Sequence, residues 1–376
     1  MNSASAYSEE MHQGWSNMMN ETCHAKKFIK RFSLGLGLFL LLIAGIVLLL
    51  DPFYHYHGPL PGLKTVLEER DYEVTGTLDH FDYEGLILGT SIAENYNIRQ
   101  FSENFDMSFV KAIRAGGSNA DLLWYLDRAY ENHELKQVFY FLDLFSMESD
   151  TTPTFSRSNT DFLTNKNPFD DIEYLWNKDV LFKKIPLQLA YSFVLDYDEG
   201  NPYSWYQTKT FRTDEVMKWY SPAGFFKDQA PVEEIDPVFE ENLALLEQRV
   251  AAHPDTDFTV CFSPISILWW DNEYREGRLD QVLRKLQTIT DRLSVYENVT
   301  VCFFQGDTEI IKNLDNYMDI LHFSESINRL LCDRIAAGEG KVTSDSLPAK
   351  LEALRETVIR FSRSEITQYY PDAVTE

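Results

Sequence analysis

Cysteine is scarce in this chain of 376 residues, which has only four. Cys23 precedes the one long apolar run, Cys261 and Cys302 lie in short apolar runs typical of strands, and Cys332 lies in an apolar helical pattern. This scatter excludes the closely spaced cysteine framework of a disulfide-rich domain. We interpret the cysteines as free thiols, and not as catalytic or metal-binding residues.

Positive charge is also short, because 34 Lys and Arg face 59 Asp and Glu, a formal net charge of −25. Residues 1–31 hold four basic and three acidic side chains (+1) and residues 32–50 hold none, so the remainder carries −26. A surface of that sign repels phosphate backbones, which argues against nucleic-acid binding. Internal repeats and low-complexity tracts are absent too, and 44% hydrophobic residues suffice for a sizeable core.

One run is uniformly apolar: residues 32–50 read FSLGLGLFLLLIAGIVLLL and carry no charge. As a helix it would span roughly 28 Å, close to the hydrocarbon thickness of a bilayer. Four basic residues within 26–31 precede the run and Asp51 follows it, so the positive-inside rule places the N-terminus in the cytoplasm. A cleaved signal peptide is the alternative, but the preceding stretch is long and residues 48–52 lack the small side chains of a cleavage site.

These features divide the chain into predicted parts. They are a cytoplasmic tail at 1–31, an uncleaved transmembrane signal-anchor at 32–50, a juxtamembrane connector at 51–80, and an extracytoplasmic domain at 81–376 with a cap-like insertion at 148–235. The insertion has weak periodicity, and we expect it to pack over the strand ends of the domain. The aromatic and His run at 53–57 predicts an interfacial belt at the membrane surface.

Strand and helix patterns alternate through the domain. Strands are predicted at 85–89, 109–113, 138–142, 258–262 and 299–304. Helices are predicted from residue 92 onward and at 118–132, 238–252, 279–293, 324–336 and 348–361. This alternation predicts an α/β fold with a central parallel sheet of about five strands between two helical layers. Ligands of such sheets bind at the carboxyl ends of the strands.

The first candidate catalytic residue is Ser91, in Gly89-Thr90-Ser91 directly after the first predicted strand. A serine at a strand-to-helix turn is exposed, and backbone N–H groups at the start of the helix can stabilise an oxyanion. A structural alternative exists, because Ser91-Ile92-Ala93-Glu94 also fits a helix capping box. The G-x-S-x-G elbow of the α/β-hydrolases is absent.

The second candidate is the pair Asp319 and His322, in Asp319-Ile320-Leu321-His322 before a predicted helix. A histidine oriented by a carboxylate can accept the proton of a serine and return it to a leaving group. The alternative is a pair of surface residues without a catalytic role.

The third candidate is the stretch 115–119, with Gly116, Gly117 and Asn119, after the second predicted strand. Glycines there allow the backbone to approach a ligand closely and to offer an N–H group to an oxyanion. The alternative is a plain turn in which Ser118 or Asn119 caps the next helix.

The order of these motifs along roughly residues 84–335 resembles the SGNH (GDSL-like) hydrolase superfamily. That resemblance implies a flavodoxin-like three-layer α/β/α fold and a serine acyl hydrolase or acyltransferase. It implies Ser91 as the nucleophile, His322 as the general base and Asp319 as its orienting partner. It also implies oxyanion donors at the N–H groups of Ser91 and of Gly116 or Gly117.

Two positions depart from the family pattern. Thr90 stands where Asp is usual, and Asp143, after the third predicted strand, stands where an Asn oxyanion donor is expected. An ionised carboxylate cannot donate a hydrogen bond. Either Asp143 is protonated or structural, or Asn119 supplies the donor.

Near the predicted cleft lie further candidate substrate-lining residues: Asp143, Ser263, Trp269 and Trp270. Indole faces stack well on sugar rings, and packing between the cap and the sheet is the alternative. No metal or organic cofactor is indicated.

Among such proteins, membrane-anchored forms of the bacterial envelope are similar to this chain: the accessory protein of lipoteichoic acid D-alanylation and the alginate O-acetylation proteins. This resemblance implies an esterase or O-acyltransferase that acts on an envelope glycopolymer through an acyl-Ser91 intermediate, beside a membrane-bound O-acyltransferase. The alternative is a non-catalytic scaffold or binding protein that assists such a transferase.

Overall fold

The computed structural model describes residues 3–155, 158–165, 167–232, 236–371 and 373. Its first element is a single long helix, α1 (Ser3–Leu50). The part of α1 from Thr22 to Leu50 is long and apolar enough to cross a membrane, and only 11% of its most apolar window is buried against the rest of the protein.

A six-stranded sheet forms the centre of the domain, and it runs in the order β2-β1-β3-β4-β5-β6. Its strands are β1 (Gly85–Gly89), β2 (Phe109–Ile113), β3 (Gln137–Phe141), β4 (Asp257–Phe262), β5 (Val299–Phe303) and β6 (Lys341–Val342). The first five are parallel and match the five predicted strands; β6 is antiparallel to β5. The sequence prediction missed β6, because two residues are too few for an alternating pattern.

Helices cover both sides of the sheet. The longer ones are α2 (Arg70–His80), α3 (Ile98–Phe105), α4 (Asn119–Asn132), α10 (Pro237–Ala252), α11 (Ile267–Arg275), α12 (Leu279–Leu293), α14 (Glu325–Ala336) and α15 (Leu347–Arg363). α3 packs against α14, while α4, α10, α12 and α15 contact one another in succession. The predicted helices α4, α10, α12, α14 and α15 are confirmed.

The helix predicted from residue 92 is wrong. The chain forms one 3-10 turn, Ser91–Ala93, and α3 begins only after Asn97, whose side chain accepts a hydrogen bond from the N–H of Gln100. An asparagine at this position competes with helix continuation, because its side chain bonds the backbone and favours a helix start.

The insertion between β3 and α10 is built from short helices. They are α5 (Leu144–Met147), α6 (Asp161–Thr164), α7 (Ile172–Leu175), α8 (Ile185–Phe193) and α9 (Thr213–Val216), with one π-helical turn at Val180–Lys184 before α8; α13 (Thr308–Ile311) lies later in the chain. No strand occurs among the insertion's described residues. Its first half packs against the end of α1, and its second half reaches the strand ends.

The connector after α1 is folded into the domain. Phe53 and Tyr54 are buried, and Phe53 stacks on Tyr174 of the insertion with ring centroids 5.3 Å apart. The prediction of an interfacial belt is therefore wrong for these two residues, since their rings contact protein. The cause is Asp51, whose carboxylate accepts the N–H groups of the residues at 55–57 and turns the chain back on itself.

Candidate active site

The candidate site lies where the parallel strands end. β1 pairs in register with β2 on one side and β3 on the other, so the loops that follow these strands meet at one edge of the sheet. Ser91 follows β1, the glycine turn at 114–117 follows β2, and Asp143 follows β3. The loop that carries Asp319 and His322 reaches this same edge from beyond β5.

Ser91 is held by a tight turn directly after β1. Gly89 allows this turn, because a Cβ atom there would lie 2.7 Å from the Cβ of Ala93. The Ser91 hydroxyl lies 2.8 Å from Nε2 of His322. The alternative capping box is not formed: no side chain caps the 91–93 turn, and the Glu94 carboxylate bonds Arg70 instead.

His322 is oriented by Asp319. Nδ1 of His322 lies 2.8 Å from Oδ2 of Asp319, while Oδ1 of the same carboxylate accepts the N–H groups of Leu321 and His322, each at 2.8 Å. Burial alone would raise the pKa of Asp319, but the hydrogen bonds and the charge of His322 hold it below its ordinary value. An ionised Asp319 fixes the proton on Nδ1 and leaves Nε2 as an acceptor for the Ser91 hydroxyl.

The loop with Asp319 is anchored to the residues that follow β4. Ser266 donates its N–H (3.3 Å) and its hydroxyl (2.7 Å) to the carbonyl of Ile320. The Tyr317 hydroxyl donates to the carbonyl of Pro264 at 2.8 Å, and Tyr317 pairs with Phe323 as an antiparallel bridge. The ring of His322 is therefore positioned by contacts on both sides of its loop.

Trp205 of the insertion forms one wall of the site. Its ring meets that of His322 edge-on, with centroids 5.4 Å apart, and its Nε1–H donates to Glu94 at 3.0 Å. The Trp205 N–H donates to Oδ1 of Asn95 at 3.1 Å. Sequence reasoning missed Trp205, since nothing in the weakly periodic insertion marks it out from the other aromatic residues.

Lys111 lies buried in β2 beneath the turn that carries Ser91. Its Nζ donates to the carbonyls of Glu94 (2.5 Å) and Tyr96 (2.9 Å). Burial lowers the pKa of Lys111 to about 7, against the attraction of the Glu94 carboxylate. A lysine in a strand pattern gave no indication of this role, which is to support the turn from below.

Both carboxyl oxygens of Asp143 are hydrogen-bonded within the protein. Its Oδ2 accepts the Thr90 hydroxyl at 2.5 Å, and its Oδ1 accepts the N–H of Ser146 at 3.0 Å as the cap of α5. Burial raises the pKa of this carboxyl, against the hydrogen bond from Thr90. Of the alternatives posed by the sequence, these contacts favour a structural Asp143.

The structure gives Gly116, Gly117 and Asn119, the three candidates of the stretch 115–119, different surroundings. Gly117 donates its N–H to the carbonyl of Arg114 at 3.0 Å, so this group is already used. Gly116 has φ +62°, a conformation that favours glycine. Asn119 is fully buried, donates to the carbonyl of Asn242 at 2.9 Å and accepts the Tyr140 hydroxyl at 2.9 Å. Its amide is therefore bonded within the core to α10 and β3, and it is not free to act as the oxyanion donor that an Asn at position 143 would supply.

The candidate substrate-lining residues also divide. Trp269, Trp270 and Ser263 are all buried. Trp269 lies on a pocket of about 360 Å³ that adjoins the Asp319 loop through Ile320 and Leu321. Phe145, exposed at the start of α5, lies on the same pocket, and the ion pairs Arg278–Glu273 and Lys285–Glu148 border it.

Comparisons with known proteins add little to this geometry. No protein-family model and no curated protein matches the chain. Among solved structures, the chain is similar to a Streptococcus pneumoniae protein described provisionally as a platelet activating factor. That match has 14% identity and a TM-score of 0.36, and it covers 72% of this chain and 90% of the other. The interpretation of the site therefore depends on its own residues.

Proposed function

We propose that the protein is a membrane-anchored serine esterase or O-acyltransferase of the SGNH type. The observation that carries this proposal is the chain of contacts Ser91–His322–Asp319, with 2.8 Å at each step between side chains. Its nucleophile, base and orienting carboxylate stand in the order that general base catalysis requires. The strand order 2-1-3-4-5 supports the proposal, because flavodoxin-like sheets have that order.

The reaction begins when the Ser91 oxygen attacks the carbonyl carbon of an ester. The hydroxyl proton passes to Nε2 of His322, and Asp319 stabilises the resulting imidazolium. The bond between the acyl carbon and the alcohol oxygen then breaks, and His322 returns the proton to the departing alcohol. Water or the hydroxyl of an acceptor next attacks the acyl-Ser91 ester by the same steps in reverse, which restores the free serine.

The oxyanion of the intermediate needs donors that Asp143 and Asn119 do not provide. We assign this role to the backbone N–H groups of Ser91 and Gly116, because Gly117 has already donated its N–H to Arg114. Asp143 contributes indirectly, since its bonds to Thr90 and to α5 hold together the loops after β1 and β3.

The proposed substrate is a glycopolymer of the cell envelope. The pocket beside the Asp319 loop supports a substrate that extends past the reacting bond. Phe145, exposed there, offers aromatic surface for a sugar ring or an acyl chain, while the mostly buried Trp269 contributes only an edge to the lining. A membrane-bound O-acyltransferase is the proposed partner, and α1 would keep the site close to it.

The test is reaction of the full-length protein, in detergent, with a fluorophosphonate probe for activated serines. We expect the parent to be labelled, Ser91→Ala to lose labelling completely, and His322→Ala to react at least ~100-fold more slowly. Ser346→Ala is the matched control, because Ser346 also precedes a helix but lies at the exposed start of α15, and it should label like the parent.

If the folded parent is not labelled, the enzyme proposal is wrong. The protein would then be better explained as a scaffold for the transferase. Its lack of activity would follow from Asp143, which places a carboxylate where an oxyanion donor is needed.

A further inference from the structure

One tip of the insertion exposes large apolar side chains. Phe169, in the turn before α7, is 87% exposed, Ile172 in α7 60%, and Phe182 in the π-helical turn 73%. Several exposed apolar side chains of this size within one short stretch of chain are seldom left in water without a partner. We call residues 168–182 the apolar tip.

The apolar tip lies against the membrane helix candidate. α1 contacts both α7 and the π-helical turn. Tyr174 and Val180 form a buried apolar cluster with Val47 of α1. Trp176 donates its indole N–H to the backbone carbonyl of Leu40 at 3.0 Å, deep within the apolar run of α1.

The position of Leu40 sets the depth of this contact. Leu40 precedes the end of α1 by ten residues, which corresponds to about 15 Å of helix. The charge-free run 32–50 is about 28 Å long, so nearly all of it is needed to cross a hydrocarbon core of about 30 Å. A membrane surface at Leu40 would instead force the basic residues at 26–31 into the core, which is costly.

We propose that the apolar tip inserts into the leaflet on the domain's side, next to α1, so that the protein holds the membrane at two places. The proposal needs α1 to span the membrane, and it is independent of the proposed enzyme function. Phe169, Ile172 and Phe182 would contact acyl chains. Trp176 suits this setting, because its N–H is already bonded within the protein and leaves no unsatisfied donor in lipid.

The apolar tip also carries charged side chains: Asp170, Asp171, Glu173 and Asp179 are acidic, and Lys178 is basic. Lys178, within the apolar tip, and Lys183, directly after it, are exposed, and their long side chains can extend the ammonium groups toward the headgroups. Asp179 pairs with Lys183 at 2.8 Å, which reduces the local charge. The net charge of −25 argues against anionic lipid, so phosphatidylcholine is the appropriate test membrane.

The experiment places a bimane fluorophore at single cysteines in the full-length protein, reconstituted alone in phosphatidylcholine vesicles. Cys23→Ser removes the exposed native thiol, and the other three cysteines are buried. The probe positions are Phe169→Cys and Phe182→Cys. Val295→Cys is the matched control, because Val295 has the same 73% exposure as Phe182 but lies between α12 and β5. Leu41→Cys tests the premise that α1 spans the membrane.

Bromine on the lipid chains and iodide in the water are the two quenchers. We expect bromolipid to quench the probes at 169, 182 and 41 severalfold more than the probe at 295, and iodide to do the reverse. Probes at 169 and 182 that iodide reaches as easily as residue 295 would overturn the proposal, as would a probe at 41 that bromolipid does not quench. Circular dichroism and a melting curve for each variant show that the label has not unfolded the protein.

Discussion

Two carboxylates, the half-buried Asp319 and the fully buried Asp51, organise two different regions of the molecule. Asp319 accepts two backbone N–H groups of its own loop and orients the ring of His322 at the strand ends. Asp51 accepts three backbone N–H groups of residues 55–57 and the hydroxyl of Tyr174, at 2.7 Å, where α1 meets the insertion. The interactions are of the same kind in both regions. Each aspartate accepts backbone N–H groups of nearby residues, and each also binds one side chain: His322 for Asp319 and Tyr174 for Asp51.

The difference is where the decisive partner lies in the sequence. His322 follows Asp319 by three residues, so the pair is visible as a motif and its position after the strands predicts its place at the sheet edge. Tyr174 lies 123 residues from Asp51, inside an insertion without periodicity. A contact of that kind is created by tertiary packing, and the sequence shows only an acidic residue at the end of an apolar run.

The largest expected effect is on the Asp319 side of the comparison. In Asp319→Asn the amide can still accept the loop N–H groups, but its NH₂ faces Nδ1 of His322 and favours the wrong tautomer. We expect probe labelling of Ser91 to slow roughly 10²–10⁴-fold, with the melting temperature little changed. Labelling at the parental rate would show that His322 does not depend on this carboxylate.

Asp51 should affect stability and leave the chemistry intact. Asp51→Ala leaves three N–H groups and one hydroxyl without their acceptor in a fully buried place, and puts alanine at φ +35°. We expect a loss of about 3 kcal/mol in the free energy of unfolding in detergent. Asp51→Asn is the control, because asparagine tolerates this φ and retains an acceptor oxygen, so its loss should be smaller.

Slow or absent labelling of Ser91 in folded Asp51→Ala would contradict the view that Asp51 affects only stability and Asp319 only the reactivity of Ser91. It would mean that the joint between α1 and the insertion sets the geometry of the strand-end site, through the second half of the insertion and Trp205.

The parts of the fold that could be predicted are those with regular backbone. Five parallel strands and five of the surrounding helices follow from apolar periodicity, and Ser91, Asp319 and His322 meet because parallel strands end at one edge. The sequence could not show that Gly117 would donate its N–H within its own turn. A glycine pair with free N–H groups and a pair with N–H groups bonded in the turn have the same sequence. It also could not distinguish Trp269, beside a pocket, from Trp270, in the core.

The misplaced predictions share a physical cause. Asn119 follows a glycine turn as an oxyanion donor would, yet Tyr140 and Asn242 satisfy its amide in the core. Phe53 and Tyr54 follow the long apolar helix α1 as belt residues would, yet Asp51 turns them into the domain. In each case the local pattern is compatible with two environments, and long-range packing selects one.

The smallest expected effect concerns Lys111, a buried charge that differs from both carboxylates because its partners are the neutral carbonyls of Glu94 and Tyr96. Its pKa falls from 10.5 to about 7 on folding. Between these values the unfolded chain holds a proton that the folded chain has released, so stability must rise with pH in that window.

We therefore expect the free energy of unfolding to rise by about 2 kcal/mol from pH 7 to pH 9 in the parent, and this rise to be lost in Lys111→Met. Urea unfolding at pH 7 and pH 9 measures the change in the free energy of unfolding for each protein. Groups that titrate alike in the two proteins contribute equally, so their effect cancels when the two changes are subtracted. Methionine fills the space without a charge, but it leaves the carbonyls of Glu94 and Tyr96 without this donor, so the pH slope and not the absolute stability of Lys111→Met tests the prediction. An equal pH slope in both proteins would mean that Lys111 stays charged in the folded state. The turn that carries Ser91 would then be supported by a charged ammonium group, which donates to the carbonyls of Glu94 and Tyr96 and is attracted by the Glu94 carboxylate.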